Sequence, residues 1–245
     1  MKVRVDKLLV ERKLAGSRER AQALVLGGRV LVNGQKVEKA GTAVDAEAEI
    51  RLLGADLPYV SRGGLKLEAA LHHWNVEVGG KVCMDVGAST GGFTDCLLQH
   101  GAARVIAVDT GYGQIDLRLR QDSRVRLLEK TNARYLKPED IRESVDLVVM
   151  DVSFISATQV LPAVVASAFP DPAGRQIIVL VKPQFEVGRE RVGKGGIVRD
   201  EAAQAEAVEK VRAKLQELGC RRAEVMDSPI LGAEGNREFL LYGRL

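Results

Sequence analysis

Four charged residues occupy positions from which a folded sheet would bring them to one rim. Lys182 directly follows the apolar run Ile177-Ile-Val-Leu-Val, Asp151 follows Val148-Val-Met, Glu238 precedes Phe239-Leu-Leu, and Lys66 lies early in the helix-like stretch Ser61-Arg-Gly-Gly-Leu-Lys-Leu. Open α/β sheets bind ligands outside the carboxyl ends of their strands, so charges at strand ends are placed for chemistry. Two amines and two acids can take a proton from a poorly acidic group and hold the charge that develops. A lysine acts as the base only when neutral, a form that burial and a second cation favour and a neighbouring carboxylate opposes. The balance of these effects is open at this level. Taken singly, Lys182 also reads as a solvated strand end and Lys66 as a surface helix lysine.

The second chemical signature is Val82-Cys-Met-Asp-Val-Gly-Ala-Ser-Thr-Gly-Gly-Phe-Thr-Asp95. An apolar strand enters Asp85–Gly87, a loop of small residues follows, and a helix begins near Gly91. Glycines there let the backbone pass close to a ligand. A dinucleotide fingerprint reads G-x-G-x-x-G, but Ser89 stands where glycine is needed, and a phosphate-binding loop needs G-K-[ST]. The string resembles instead the S-adenosylmethionine loop of class I methyltransferases, which cradles the amino-acid end of that cofactor. The resemblance assigns Asp85, Gly87, Ser89, Thr90, Gly91 and Gly92 to cofactor binding. Asp109 stands 22 residues after Gly87, at the end of the next apolar strand, Arg104-Val-Ile-Ala-Val. A carboxylate there can accept both ribose hydroxyls of an adenosine, and it also suits a helix cap. Asn132, after the third strand, is a candidate for the adenine edge.

The elements that must position these groups can be read from length and pattern. The chain has 245 residues, 46% hydrophobic and 28% charged, which fits one large or two smaller globular domains. The longest apolar stretches, Val160–Phe169 and Ile177–Val181, fall short of the ~18–20 residues of a bilayer span. The first six residues alternate charge with apolar side chains, unlike a secretory signal. No membrane partner is expected, and a cytoplasmic location is. Cys83, Cys96 and Cys220 form no CxxC pair, so neither a disulfide framework nor a metal site is expected, and each reads as a small buried apolar residue. From about residue 60 the segments alternate, with strands near 82–86, 104–108, 125–128, 145–150, 176–181, 221–227 and 238–243. Helices are expected near 63–74, 91–100, 116–121, 157–168 and 201–218. This rhythm predicts an α/β fold around a mostly parallel, seven-stranded sheet. Tyr112 and Phe154 could border a pocket but read more simply as core residues, and Trp74, His72 and His73 as helix-face residues without a role.

The N-terminal segment differs in charge and in pattern. Residues 1–40 hold ten Lys/Arg and four Asp/Glu, a net +6 within a chain whose total is +3. A basic module on a mildly acidic body suggests a polyanion partner, the plainer reading being a solvated charged face. Residues 5–13 read as a helix, Ser17 as the cap of a second helix ending at Gly27–Gly28, and Asn33–Gly34 as the turn of a hairpin. A further strand is expected at 47–53 and a linker at 54–58. Arg4-Val-Asp-Lys-Leu-Leu, Ser17-Arg-Glu-Arg-Ala-Gln-Ala and Gly28-Arg-Val-Leu-Val-Asn-Gly34 together resemble the S4 RNA-binding fold over residues 3 to about 50. That resemblance makes Arg4, Lys7, Ser17, Arg18, Arg20 and Lys36 candidates for phosphate and ribose contact, with Ser17 also readable as a cap alone.

Over the whole chain, Lys66, Asp151, Lys182 and Glu238 match the Lys-Asp-Lys-Glu tetrad of FtsJ-like ribose 2′-O-methyltransferases. With an S4 module in front, the chain resembles the TlyA family of ribosomal RNA cytidine-2′-O-methyltransferases, which also carry the name hemolysin. The resemblance implies a Rossmann-like class I methyltransferase domain over 59–245 behind an α+β S4 domain over 1–58. It implies S-adenosylmethionine as cofactor, ribosomal RNA or ribosomal subunits as partner, and no metal. Lys182 is expected as the base or direct partner of the 2′-hydroxyl, Lys66 as the holder of the ribose or developing alkoxide, and Asp151 and Glu238 as their orienters. The glycine-rich stretch 184–200 carries Arg189, Arg191, Lys194 and Arg199. It reads equally as an RNA-clamping lid, through Arg189, Arg191 and Lys194, or as an ordinary crossover loop. The competing readings are an RNA-binding protein that has lost turnover, against which the unbroken tetrad argues, and a membrane-active hemolysin, for which no segment speaks.

Overall fold

The computed structural model describes residues 2–53, 57–171 and 174–245. The chain divides into two compact units, Met1–Leu57 and Pro58–Leu245. Part of the expected linker, residues 54–56, lies outside the described residues.

The first unit runs β1 (Lys2–Arg4), α1 (Val5–Glu11), α2 (Arg18–Leu26), β2 (Val30–Val32), β3 (Gln35–Lys36), β4 (Ala43–Asp45) and β5 (Ile50–Leu52). β2 lies between β3 and β5, antiparallel to both, and β1 pairs separately with β4. The β2–β3 turn has Asn33 at φ 50° and Gly34 at φ 77°, the two positive angles a tight hairpin needs. Val5, Leu8 and Leu9 of α1 and Ala21, Leu24 and Val25 of α2 close the core over Val30 and Val32. Asp6 fixes the two helices polar side to polar side. It is fully buried and accepts from Arg4 Nη2 at 2.8 Å, Arg18 Nε at 3.2 Å, Gln22 Nε2 at 3.2 Å and the Lys7 amide at 2.9 Å.

The second unit begins with α3 (Gly63–His73), β6 (Val82–Val86), α4 (Gly92–Gln99), β7 (Arg104–Val108), α5 (Leu117–Arg120), β8 (Val125–Leu128), α6 (Pro138–Ile141) and β9 (Leu147–Met150). It continues with α7 (Ala157–Ala168), β10 (Gln176–Val181), α8 (Pro183–Glu186), α9 (Glu201–Glu217), β11 (Arg222–Asp227) and β12 (Phe239–Arg244). The sheet order is β11-β12-β10-β9-β6-β7-β8; β6 to β10 run parallel, and β12 is antiparallel to both its neighbours. The α/β class and the mostly parallel seven-stranded sheet are as expected.

Both faces of the sheet are covered, which is why its central strands are nearly continuous in Val, Ile and Leu. Side-chain alternation sends Met84, Val86, Val148 and Met150 to one face, under α7 and α9. Cys83, Leu147, Val149, Ile178 and Leu180 face the other way, under α3 and α4. The chain leaves β6 for β7 on one side and returns to β9 on the other, so the order reverses at β6. A crevice opens at such a switch point, outside the carboxyl ends of the strands. Gly87 follows β6 there and Asp151 follows β9. A Cβ on Gly87, which sits at φ +87°, would run into the Asp151 carbonyl, so only glycine lets these two ends lie side by side.

Asp6 yields a pH prediction for the first unit. Hydrogen bonds from Arg4 hold its carboxyl well below the usual carboxylate range, against the upward pull of burial and with help from Gln22 and Arg18. A depressed folded value stabilises fully above the unfolded value of 3.8, and the contribution is lost as pH falls below it. In Asp6→Asn, amide-exchange protection of α1 should drop at neutral pH, and in the native chain the same amides should lose protection below about pH 4. Equal protection in both proteins at neutral pH would show that Asp6 does not hold the helices.

Candidate active site

The crevice is a cavity of about 250 Å³ lined by Ser61, Arg62, Lys66, Gly87, Ser89, Thr90, Gly92, Asp151, Lys182 and Glu238, among others. All four tetrad residues therefore face one space, although they come from α3, the end of β9, the end of β10 and the residue before β12. They pair as two lysine–acid couples. Lys66 Nζ lies 2.5 Å from Glu238 Oε2, with side chains 10% and 3% exposed. Lys182 Nζ lies 2.5 Å from Asp151 Oδ1, without hydrogen-bond alignment, and donates to Ser153 Oγ at 2.8 Å. Ser153 thus takes one of the three N–H positions of Lys182 and fixes its aim.

Around the glycine loop, Ser89 adopts φ 50° and Gly91 φ 96°. A Cβ on Gly91 would strike Leu119, and one on Gly92 would strike Ser61 Oγ. Asp109 lies outside the cavity lining and holds the loop: its Oδ2 accepts from the Ser89 amide at 2.7 Å and its Oδ1 from the Gly111 amide at 2.6 Å. Asn132 accepts from the Arg134 amide at 3.0 Å and so caps a short turn. Asp85 does not line the cavity either. It is buried at the end of β6, where Oδ2 accepts from Thr94 Oγ1 at 2.7 Å and Oδ1 has no partner. Burial, only partly offset by Thr94, pushes its carboxyl up to about 7.

Several residues that sequence reasoning passed over complete the site. Asn236, 1% exposed, accepts from the Val198 amide at 3.0 Å and donates to the Gly196 carbonyl at 2.8 Å. It ties the basic stretch to the loop that carries Glu238 two residues later. Glu186 is buried at the start of α7, accepting from the Ala157 amide at 2.6 Å and from Ser156 Oγ. The stretch 184–200 is accordingly built rather than plain loop, with α8, a 3-10 turn at Arg189–Arg191 and buried Val198. Arg189 and Lys194 are exposed, whereas Arg191 pairs with Glu206 and Asp200 and fastens the stretch to α9. Phe154 and Tyr112 are not core residues: they are 92% and 69% exposed. Phe154 takes φ 63°, rare for an aromatic, because the turn after β9 swings outward, and its ring lies 5.4 Å from that of Phe185. Asn-like turn residues would have signalled this; a phenylalanine gave no such signal.

In the first unit the Arg4 and Arg18 side chains pair with Asp6, which Lys7 meets only through its backbone amide. Ser17 caps α2, its Oγ accepting from the Arg20 amide at 3.2 Å. Lys36 lays the end of its side chain over Gly28, which sits at φ 65°.

Comparison with known proteins places this geometry. The FtsJ-like methyltransferase family matches residues 59–245, and the S4 domain matches residues 3–50. The chain is 48% identical over 244 residues to the 16S/23S rRNA (cytidine-2'-O)-methyltransferase TlyA of Mycobacterium tuberculosis, covering 99% of this chain and 90% of that one. It is 38% identical over 242 residues to Hemolysin A of Brachyspira hyodysenteriae, covering 98% and 99%. A solved structure of a hemolysin from Streptococcus thermophilus superposes with a TM-score of 0.77 at 44% identity, over 99% of this chain and 88% of that one.

Asp85 supplies a test of the loop's electrostatics. Its value, raised from 3.8 to about 7, means that the folded protein keeps a proton the unfolded chain releases. The Asp85 contribution to stability is then greatest below 3.8, falls as pH climbs to about 7, and is level above. Asp85→Asn, which can keep the Thr94 bond, should flatten that slope and raise the melting temperature at pH 8 by a few degrees. An unchanged slope would place the titration elsewhere.

Proposed function

The chain belongs to the FtsJ-like methyltransferases and, within them, to the TlyA proteins; from this we propose that it methylates the 2′-hydroxyl of a cytidine ribose in ribosomal RNA, using S-adenosylmethionine. One observation carries the reading: two lysine–carboxylate couples face a single cavity whose other wall is the glycine cradle.

The residues present fit the cofactor. Gly87 and Gly92 bring bare backbone to the cavity wall, and the small polar residues Ser89 and Thr90 line it between them. Gly87, Ser89, Thr90 and Gly92 would hold the amino-acid end, and Asp109 the ribose hydroxyls once it exchanges one of its amide bonds for them. When bound, S-adenosylmethionine supplies a methyl group activated by a sulfonium. Asn132 would meet the adenine edge.

At the acceptor side, Lys182 first gives up a proton to solvent and then, as the neutral amine, takes the proton of the 2′-hydroxyl, while Ser153 and Asp151 hold its Nζ in place. Lys66 sits against the developing alkoxide, and Glu238 keeps it there. Alignment of oxygen with methyl supplies the larger share of the barrier lowering, which is why four fixed side chains matter more than any one. Phe154, exposed beside this cluster, offers a face on which the base of the target nucleotide stacks. Arg4, Lys7, Arg18, Arg20 and Lys36 of the first unit, with Arg189 and Lys194 of the second, supply phosphate contacts that position the RNA. No described helix is long and apolar enough to cross a membrane; a ribosomal substrate is what supports a cytoplasmic location.

Incubation of ribosomal subunits with the protein and labelled S-adenosylmethionine should yield 2′-O-methylcytidine. Lys182→Met should lower turnover by about 100-fold or more with cofactor affinity retained. Phe154→Ala should weaken the apparent RNA affinity, stacking being worth about 1–3 kcal/mol per base. Full turnover in Lys182→Met, or a methyl group on a base instead of a ribose, would overturn the reading.

A further inference from the structure

All three histidines of the chain fall on two packed helices: His72 and His73 at the end of α3, and His100 just after α4. His73 stands edge-on to Trp74, while His72 and His100 face each other with ring centroids 6.0 Å apart at 75°. Glu68 lies one helical turn before His72, on the same side of α3. One ligand atom from each of Glu68, His72 and His100 lies within 4.8 Å of the other two.

Two of these groups are oriented from behind. His100 Nδ1 lies 2.9 Å from the Cys96 carbonyl, which can only accept, so Nδ1 carries the proton and Nε2 the free lone pair. Glu68 Oε1 accepts from the buried Tyr59 hydroxyl at 2.8 Å, which leaves its second oxygen to face outward. Outer partners of this kind, a backbone carbonyl behind an imidazole and a donor behind a carboxylate, are what metal-binding side chains use to fix tautomer and aim.

We propose that Glu68, His72 and His100 form a binding site for a divalent transition-metal ion of the zinc class. Two imidazoles and one carboxylate suit zinc, cobalt or nickel better than magnesium or calcium, which prefer oxygen alone. Three protein ligands leave the fourth position to water, so the ion exchanges with solvent. Tetrahedral ligands about 2.0–2.1 Å from zinc stand roughly 3.3 Å apart, so binding draws the three ligand atoms closer together. None of the three ligands lines the active-site cavity, so the ion takes no part in methyl transfer. It ties α3, through Glu68 two residues past Lys66 and His72 near the helix end, to the end of α4, whose first turn borders the glycine loop. Its effect is to clamp together the two helices that frame the cavity.

Zinc is titrated into the full-length protein by calorimetry, in chelator-free buffer, and cobalt serves as a spectroscopic probe. One ion should bind per chain with a dissociation constant near micromolar, raise the melting temperature, and give cobalt visible bands of a four- or five-coordinate nitrogen–oxygen site. The double substitution His72→Ala with His100→Ala should weaken zinc at least about tenfold and abolish both the thermal shift and the bands, while His73→Ala should behave as the parent. His72→Ala alone, at an exposed position, decides the matter if the double variant does not fold. No zinc uptake by the parent protein, or equal uptake by parent and His72→Ala, would overturn the proposal.

Discussion

A lysine and a glutamate 172 residues apart in the chain meet at 2.5 Å inside the second unit, and much of the site's geometry depends on that contact. Moving either charge out of water costs several kcal/mol, and only close mutual attraction offsets it. Lys66 and Glu238 are both buried, so neither is tolerable without the other. The couple therefore requires that α3, the first element of the unit, and β12, the last, close over the same cavity. Chain closure and the placing of a cation at the reaction centre are one physical event.

The second couple answers to a different constraint. Asp151 and Lys182 follow adjacent parallel strands, β9 and β10, so their proximity comes from sheet register alone. The glycine cradle sits on the next strand over, and the absence of a Cβ at Gly87 is what lets the ends of β6 and β9 lie in contact. Register, one glycine and one buried ion pair thus bring two lysine–carboxylate couples and the glycine loop to a single crevice. Asn236 extends this outward: its two hydrogen bonds join the basic stretch around Arg189 and Lys194 to the loop that presents Glu238. Contacts made by RNA on that stretch would reach the Lys66–Glu238 couple through a buried amide.

Much of this was legible in the residues. The seven strands and the long helices follow from apolar runs and caps, and β6, β7, β8 and β10 fall where the pattern put them. The tetrad could be named because each member borders an apolar strand or opens a helix and because their order matches a known family. What could not be read has physical reasons. β1 and β4 are three residues each, too short for alternation to register. Ser153 and Asn236 are polar residues in irregular segments, where no spacing rule says what they will touch. Phe154 reads as core by residue type, and only its left-handed backbone turns it out to solvent. Arg191 reads as a free cation by charge, and only the fold reveals Glu206 and Asp200 beside it. Ser17 acts as the expected cap through its bond to the Arg20 amide, which leaves its hydroxyl proton for other partners.

In the proposed reaction Lys182 acts as a neutral base toward a ribose hydroxyl, with its aim set by Asp151 and Ser153. The most direct measurement is the pH dependence of single-turnover methyl transfer to a ribosomal substrate under saturating cofactor. This chemistry predicts a rate that rises about tenfold per pH unit before reaching a plateau, and that loses this limb in Lys182→Met. A profile flat across the whole accessible pH range, and shared by Lys182→Met, would contradict it.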